Sequence, residues 1–217
     1  MSLTEEQLKG LAEQLSNPNG EHGISVANMM HESNIGMTMS TVNALKITAN
    51  DQVLELGHGN GKHIAEILQK AANVTYTGLE ISELMKYEAE SQNLANAQFY
   101  LYDGSKIPFN ANTFTKVMTV NTIYFWTAPV LLLNEIYNVL TRGGILCIGF
   151  AQKEFMEMLP FTQHGFNLYD NAKLESLVSE TPFKLIDLTA HTEKVRSKAD
   201  EMVERTYTVA TLTKESS

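Results

Sequence analysis

The segment Asp51-Gln-Val-Leu-Glu-Leu-Gly-His-Gly-Asn-Gly61 narrows the folds open to this chain more than any other stretch. Val53, Leu54 and Leu56 form an apolar run that stops at three glycines on alternate positions, Gly57, Gly59 and Gly61. Ile64, Ile67 and Leu68 then recur at helical spacing. A strand, a glycine turn and a helix in that order bring backbone N–H groups and a helix N-terminus up to a nucleotide-like ligand. Glycine is needed there because a Cβ would block the ligand or forbid a turn at positive φ. The three glycines therefore read as the floor of a cofactor site.

The rest of the chain repeats this rhythm. Strands are expected at 51–56, 73–79, 97–102, 115–121 and 144–150, with helices at 61–71, 82–94 and 128–140 between most of them. Strands separated by helices imply right-handed βαβ units and a parallel sheet covered on both faces. Before residue 51 the pattern is helical. Leu3, Leu8, Leu11 and Leu15 give a stripe over 3–16, Ser16-Asn-Pro-Asn-Gly20 ends it, a second helix covers 24–31 and stops near Asn34 and Gly36, and a third starts at Ser40 as N-cap and runs to 46. The reading is thus an N-terminal helical cap or lid over 1–50 and one α/β unit over 51–217. Met29, Met30, Met37 and Met39 crowd into the cap, either as packing or as a flexible apolar wall over a ligand. After residue 151 come an irregular stretch to 168, a helix at 171–179, and two β-rich runs at 182–191 and 206–213. Only about fifteen residues, mostly polar, separate those runs, so an antiparallel pair at a sheet edge is expected.

Composition limits the partners. A formal charge of −9 over 217 residues and a pI near 5.1 disfavour a surface that holds nucleic-acid phosphates, and the basic grouping at 194–198 is interrupted and followed by acids. Cys147 is the only cysteine, inside the apolar run Gly144-Ile-Leu-Cys-Ile-Gly149, and reads as a buried small hydrophobe; neither a disulfide framework nor a Cys-rich metal site is expected. No apolar run is long enough for a membrane span, and the acidic N-terminus is unlike a signal peptide, so the expected location is cytoplasmic.

In an open α/β sheet, ligands bind beyond the carboxyl ends of the strands. That rule nominates Glu55 and the glycine loop with His58 and Asn60, Glu80-Ile81 after the second strand, Asp103-Gly104-Ser105 after the third and Asn121 to Trp126 after the fourth. Glu80 lies 23 residues after Gly57, where a carboxylate can accept from both ribose hydroxyls, although taken alone it also suits a helix N-terminus. The third glycine comes one residue earlier than in the dinucleotide fingerprint G-x-G-x-x-G, and Lys62 stands at the dinucleotide position. Glu55 and Glu80 would repel a pyrophosphate and suit a cationic ligand with ammonium and sulfonium centres. A nicotinamide-dependent oxidoreductase is accordingly disfavoured.

Val53-Leu-Glu-Leu-Gly-His-Gly-Asn-Gly61 resembles the first motif of class I S-adenosylmethionine-dependent methyltransferases. Glu80 matches that family's ribose-binding acid, Asp103-Gly104-Ser105 its adenine-contacting segment, and Leu140-Thr-Arg-Gly-Gly-Ile-Leu146 its turn into strand five. The resemblance covers about residues 40–150. It implies a Rossmann-like three-layer sandwich with a seven-stranded, mostly parallel sheet of order 3-2-1-4-5-7-6, strand seven antiparallel. It also implies S-adenosyl-L-methionine as methyl donor and S-adenosyl-L-homocysteine as product.

Methyl transfer from a sulfonium is an in-line displacement that depends mainly on positioning, with a base needed only if the acceptor loses a proton as it attacks. No general base is evident. His164 in the irregular insert, His31 in the cap and Tyr124 after the fourth strand are the candidates. Asn121-Thr-Ile-Tyr124 has Thr122 and Ile123 where amino-directed nucleic-acid methyltransferases carry two prolines, and no cysteine follows the fourth strand for cytosine C5 chemistry. A small-molecule acceptor is expected, with Tyr124, Phe125 and Trp126 as cavity walls. A non-catalytic module that only binds the cofactor is the alternative.

Overall fold

The computed structural model of this chain describes residues 3–196 and 202–215. Its strands are β1 (Gln52–Leu56), β2 (Thr75–Glu80), β3 (Ala97–Leu101), β4 (Phe114–Val120), β5 (Leu140–Ala151), β6 (Lys184–Arg196) and β7 (Met202–Thr213). Its helices are α1 (Glu5–Ser16), α2 (Gly20–Ala44), α3 (Ile64–Leu68), α4 (Glu83–Glu90), α5 (Pro129–Val139), α6 (Lys153–Glu157) and α7 (Asn171–Ser179), with 3₁₀ turns at Ile123–Phe125 and Pro160–Gln163. The far end of the 194–198 basic grouping lies outside the described residues.

All seven strands form one sheet in the order β3-β2-β1-β4-β5-β7-β6, the order expected. β1 pairs parallel with β2 and β4, β2 with β3, and β4 with β5, while β7 runs antiparallel to both β5 and β6. Alternation along the central strands fills two cores. Val53, Met118 and Cys147 pack with Val42 and Leu45 at the end of α2 and with Ile64 and Ile67 of α3. Leu54, Leu56, Val117, Leu146 and Ile148 share the other core with Leu132, Leu133 and Ile136 of α5 and Leu174 of α7. Each such fully buried aliphatic side chain contributes about 1.5–3 kcal/mol relative to exposure. Cys147 is fully buried, and burial pushes its thiol up to about 12.

The cap departs from expectation. Asn34, Gly36 and Ser40 do not break it; α2 runs through all three as one helix of 25 residues. Residues that look like terminators along the chain are contact points across it. Asn34 Oδ1 accepts from Arg205 Nη1 at 2.8 Å, and Ser40 Oγ pairs with Tyr207 OH at 2.9 Å. A Cβ on Gly36 would collide with the Glu193 carboxylate. The gain from these long-range contacts outweighs the ~1 kcal/mol helix penalty of a glycine. β6 and β7 are also longer than expected, and beyond Tyr207 the pair leaves the sheet as a two-stranded arm that reaches α2. α3 and α4 are shorter than the expected 61–71 and 82–94, because Gly57 to His63 and Ser91 to Asn96 are spent on turns. No helix among the described residues is long and apolar enough to cross a membrane.

Candidate functional site

β1, β2 and β4 end beside one another, and α2 lies across their carboxyl ends. Between them is a cleft of about 180 Å³, open to solvent. The loop after β1 forms its floor. Gly57, Gly59 and Gly61 have φ of +74°, +57° and +72°, a left-handed region that glycine enters without the Cβ penalty. A Cβ on Gly59 would meet nothing within 4 Å, so this glycine faces the open space where a ligand's backbone contacts would be made.

Glu80 ends β2 and is nearly buried. Its carboxylate accepts from the backbone N–H of Gly59 at 3.0 Å, Ile81 at 2.8 Å and Ser82 at 3.2 Å. Those three donors fix its orientation and leave lone pairs for a further donor from the cleft, as a ribose partner requires. Ile81, Tyr102 and Gly104 line the neighbouring wall. Asp103 stands outside that lining and is exposed. Its Oδ1 accepts from Lys106 N, Ser105 N and Ser105 Oγ, each at 2.8 Å, and these bonds hold its carboxyl below the usual carboxylate range. Ser105 likewise serves the loop rather than the cleft wall.

Another part of the cleft wall is built around Glu55. This carboxylate is buried, and its Oε2 accepts from Tyr76 OH at 2.6 Å and His63 Nε2 at 2.8 Å. Burial opposes its ionised form, but His63 beside it and the two hydrogen bonds outweigh that, so its carboxyl sits below the ordinary value. Burial likewise opposes a charge on His63, yet Glu55 prevails and the imidazole is raised above 6.5. His58 is buried too. Its Nδ1 donates to Gly59 O at 2.8 Å, its Nε2 has no partner, and burial lowers its basicity. It stacks edge-on against Phe99, and room for its ring exists because residue 78 is glycine: a Cβ there would lie 2.5 Å from His58 Cδ2.

Of the three candidate bases, only His31 lines the cleft, from α2 and alongside Met30, Asn34 and Thr38. Burial and the neighbouring His63 and Lys62 lower its basicity. His164 is turned away from the cleft toward Glu5 Oε1 of α1, at 3.3 Å. The Tyr124 hydroxyl is buried, 3.0 Å from both Asn121 Oδ1 and Ala151 O, two acceptors that commit its single proton; burial also pushes its ionisation far up. Asn121 does line the cleft, as do Phe125 and Trp126, whose indole N–H donates to Thr122 Oγ1 at 3.1 Å. The methionines divide: Met30 is a wall and Met37 is core. Sequence reasoning missed His63 and Tyr76. The pairing of residue 63 with residue 55 spans a strand, a turn and a helix start, and neither periodicity nor spacing signals it.

Residues 54–148 match the family model described as a methyltransferase domain. The chain is similar to the uncharacterized methyltransferase YdaC of Bacillus subtilis, 28% identical over 128 residues, covering 58% of this chain and 70% of that protein. In fold it is similar to a chain of the Haloferax volcanii complex with the Trm112 methyltransferase activator (TM-score 0.74, 13% identity, 88% of this chain and 93% of that one). It is also similar in fold to Phospholethanolamine N-methyltransferase 2 of Haemonchus contortus, solved with phosphomonomethylethanolamine and S-adenosylhomocysteine (TM-score 0.72, 14% identity, 99% and 61%).

Proposed function

We propose that this chain is a class I, S-adenosylmethionine-dependent methyltransferase whose cleft beneath α2 transfers a methyl group from S-adenosylmethionine to a small-molecule acceptor, a reading supported by the match of residues 54–148 to a methyltransferase domain. The observation that supports this reading best is the single cleft with two chemically distinct ends. One end is the glycine floor with the fixed carboxylate of Glu80; the other is a wall of Met30, His31, Asn34, Phe125 and Trp126. When bound, S-adenosylmethionine supplies a methyl group already activated on a sulfonium centre.

The chain's own residues then have positioning to do. Glu80 takes the ribose hydroxyls, Gly57 and Gly59 let the backbone approach, and Ile81, Tyr102 and Gly104 flank the base, with Asp103 at the exposed rim. Asn121 and Trp126 close the side toward the acceptor. Held at about 3–3.5 Å in line with the methyl group, an acceptor gains most of the available rate from orientation alone. His31, kept neutral by burial near pH 7, is the one candidate placed to receive a proton from it. An acceptor small enough to enter beneath α2 fits the acidic chain and the absence of basic clusters in its sequence.

Isothermal titration calorimetry tests the donor half: no heat with millimolar S-adenosylmethionine and folded protein would sink the proposal. Transfer of labelled methyl from the donor to a fractionated metabolite extract tests the acceptor half. One observation favours a second reading, a module that binds the donor without turnover: two of the three candidate bases, His164 and Tyr124, do not face the cleft. That reading predicts tight binding and no labelled product over a broad acceptor screen.

A further inference from the structure

Two asparagines line the cleft, Asn34 on α2 and Asn121 at the end of β4, and each is oriented by groups that do not line it. A primary amide can sit either way round, and its neighbours decide which end is left for a ligand. Asn34 meets the guanidinium of Arg205, which has N–H groups and no acceptor, so the atom 2.8 Å from Nη1 is Oδ1. Arg205 is itself tied down, its Nη2 donating to Ser33 O and to Glu193 Oε1, both at 2.6 Å. Asn121 meets the Ala151 N–H at 3.3 Å and the Tyr124 hydroxyl at 3.0 Å. A flipped amide could still bond that hydroxyl, which also reaches Ala151 O, but it would set an NH2 against the Ala151 N–H. Oδ1 therefore takes this place as well. The Asn121 backbone is held at φ +56° with its N–H on Gly149 O at 2.8 Å, a conformation Asn and Asp tolerate better than most residues.

Both amide oxygens are thus spent on the protein, and neither Nδ2 has a hydrogen-bond partner among the described residues. What remains for a ligand is a pair of NH2 groups, one from the helix and one from the sheet. The setting is uncharged. No Lys or Arg lines the cleft among the described residues, and His31, one turn before Asn34 on the same face of α2, has its basicity lowered by burial. A carboxylate or phosphate would be desolvated there without a counter-charge, and an ammonium would meet donors only. A neutral oxygen with open lone pairs suits two neutral N–H donors.

We infer that the methyl acceptor is an uncharged molecule bearing a carbonyl oxygen, which Asn34 Nδ2 and Asn121 Nδ2 hold while its apolar body lies against Met30, Phe125 and Trp126. The inference rests on the proposed reading of the cleft as a methyltransferase site and names the substrate class that it takes. Arg205 and Tyr124 are positioning residues here, acting through the amides they orient.

The test uses one ring with four head groups: benzamide, benzoate, phenyl phosphate and benzylammonium, titrated at pH about 7 into the full chain saturated with S-adenosylhomocysteine. Benzamide is expected to bind about tenfold more tightly than the other three, the size of two neutral hydrogen bonds. In ¹⁵N spectra it should shift the side-chain NH2 signals of Asn34 and Asn121, each identified by its loss in the corresponding aspartate variant. Asn34→Asp and Asn121→Asp keep the oxygen that Arg205, or Ala151 and Tyr124, requires and replace the NH2 by a second oxygen. Each should weaken benzamide about tenfold. In Asn34→Asp, 5′-methylthioadenosine, which has the methyl donor's adenosine and thioether sulfur without its amino-acid end, should bind as in wild type. If either variant fails to fold, the wild-type ranking and NH2 shifts decide. A charged probe that binds as tightly as benzamide, NH2 signals that do not move, or equal losses of benzamide and 5′-methylthioadenosine overturn the inference while the methyl-donor reading stands. Failure of S-adenosylhomocysteine to bind folded wild type overturns both together.

Discussion

The two ends of the cleft are made in different ways. The end floored by the glycine loop, proposed above for the nucleoside, is built from backbone: three loop glycines and a carboxylate held by the N–H groups of Gly59, Ile81 and Ser82, all within about 25 residues of chain. The other end, proposed above for the acceptor, is built largely from side chains carried by α2, and α2 keeps its place through partners more than 160 residues away. Arg205 on the β7 arm donates to Ser33 O at 2.6 Å and to Asn34 Oδ1 at 2.8 Å, while Glu193 on β6 neutralises it at 2.6 Å. The first end is a property of a strand–turn–helix unit that forms with the sheet. The second exists only when chain ends meet. A ligand half fixed by local backbone tolerates little change in the loop, and one fixed by distant side chains is free to differ without disturbing the fold.

The contrast is sharpened first by Arg205→Ala. It removes one partner of a nearly buried ion pair, at a cost of about 3 kcal/mol, which for a chain of this size lowers the thermal midpoint by about 6–12 °C. Binding of 5′-methylthioadenosine, measured below the transition, is expected to be unchanged; equal loss there would mean the two ends are not separable. Glu80→Ala should do the reverse. Losing two charge-assisted bonds to ribose weakens 5′-methylthioadenosine by about 100-fold in calorimetry, and retained affinity would remove Glu80 from the site. Gly78→Ala probes the link between them by crowding the His58 ring. A cost of about 1–3 kcal/mol in urea unfolding is expected, and no change would show that His58 can rotate away freely.

The smallest effect is the pH dependence of the Glu55–His63 pair. Glu55 is depressed on folding, so its contribution is present above its ordinary 4.5 and is lost as pH falls through the lower folded value. His63 is raised, so its contribution is complete below 6.5 and is lost as pH rises through the higher folded value. Thermal midpoints should therefore be highest between about 4.5 and 6.5 as far as this pair is concerned. His63→Gln should flatten the alkaline side; an unchanged alkaline slope in that variant would place the titration elsewhere.

The same division explains what could be read from the sequence. Strand order, the glycine floor and Glu80 were legible because each depends on neighbours in the chain: an alternating apolar pattern, a positive-φ turn, a carboxylate at a strand end. The single helix α2 was not, since Asn34 and Gly36 carry local stop signals that Arg205 and Glu193 override from the far end of the sequence. His63 was passed over because a histidine after a glycine loop announces nothing until its partner on β1 is known. The Asp103 segment was placed at the right strand end, but its side chain turns inward to its own loop for hydrogen bonds that no spacing rule specifies.

The arm of β6 and β7 overhangs the sheet by the pairs from Thr192↔Thr206 to Arg196↔Met202, about 17 Å of ribbon with no third strand beside it. A two-stranded ribbon is marginal by itself, and here its order is borrowed from the helix it grips. The coupling is reciprocal in free energy: what an ordered α2 contributes to the ribbon, an ordered ribbon contributes to α2. A molecule lodged against Met30 and His31 should accordingly slow amide exchange at residues 192–196 and 202–206, which do not touch it. The outer hairpin is thus a remote indicator of whether the cleft is filled, readable without knowing what fills it.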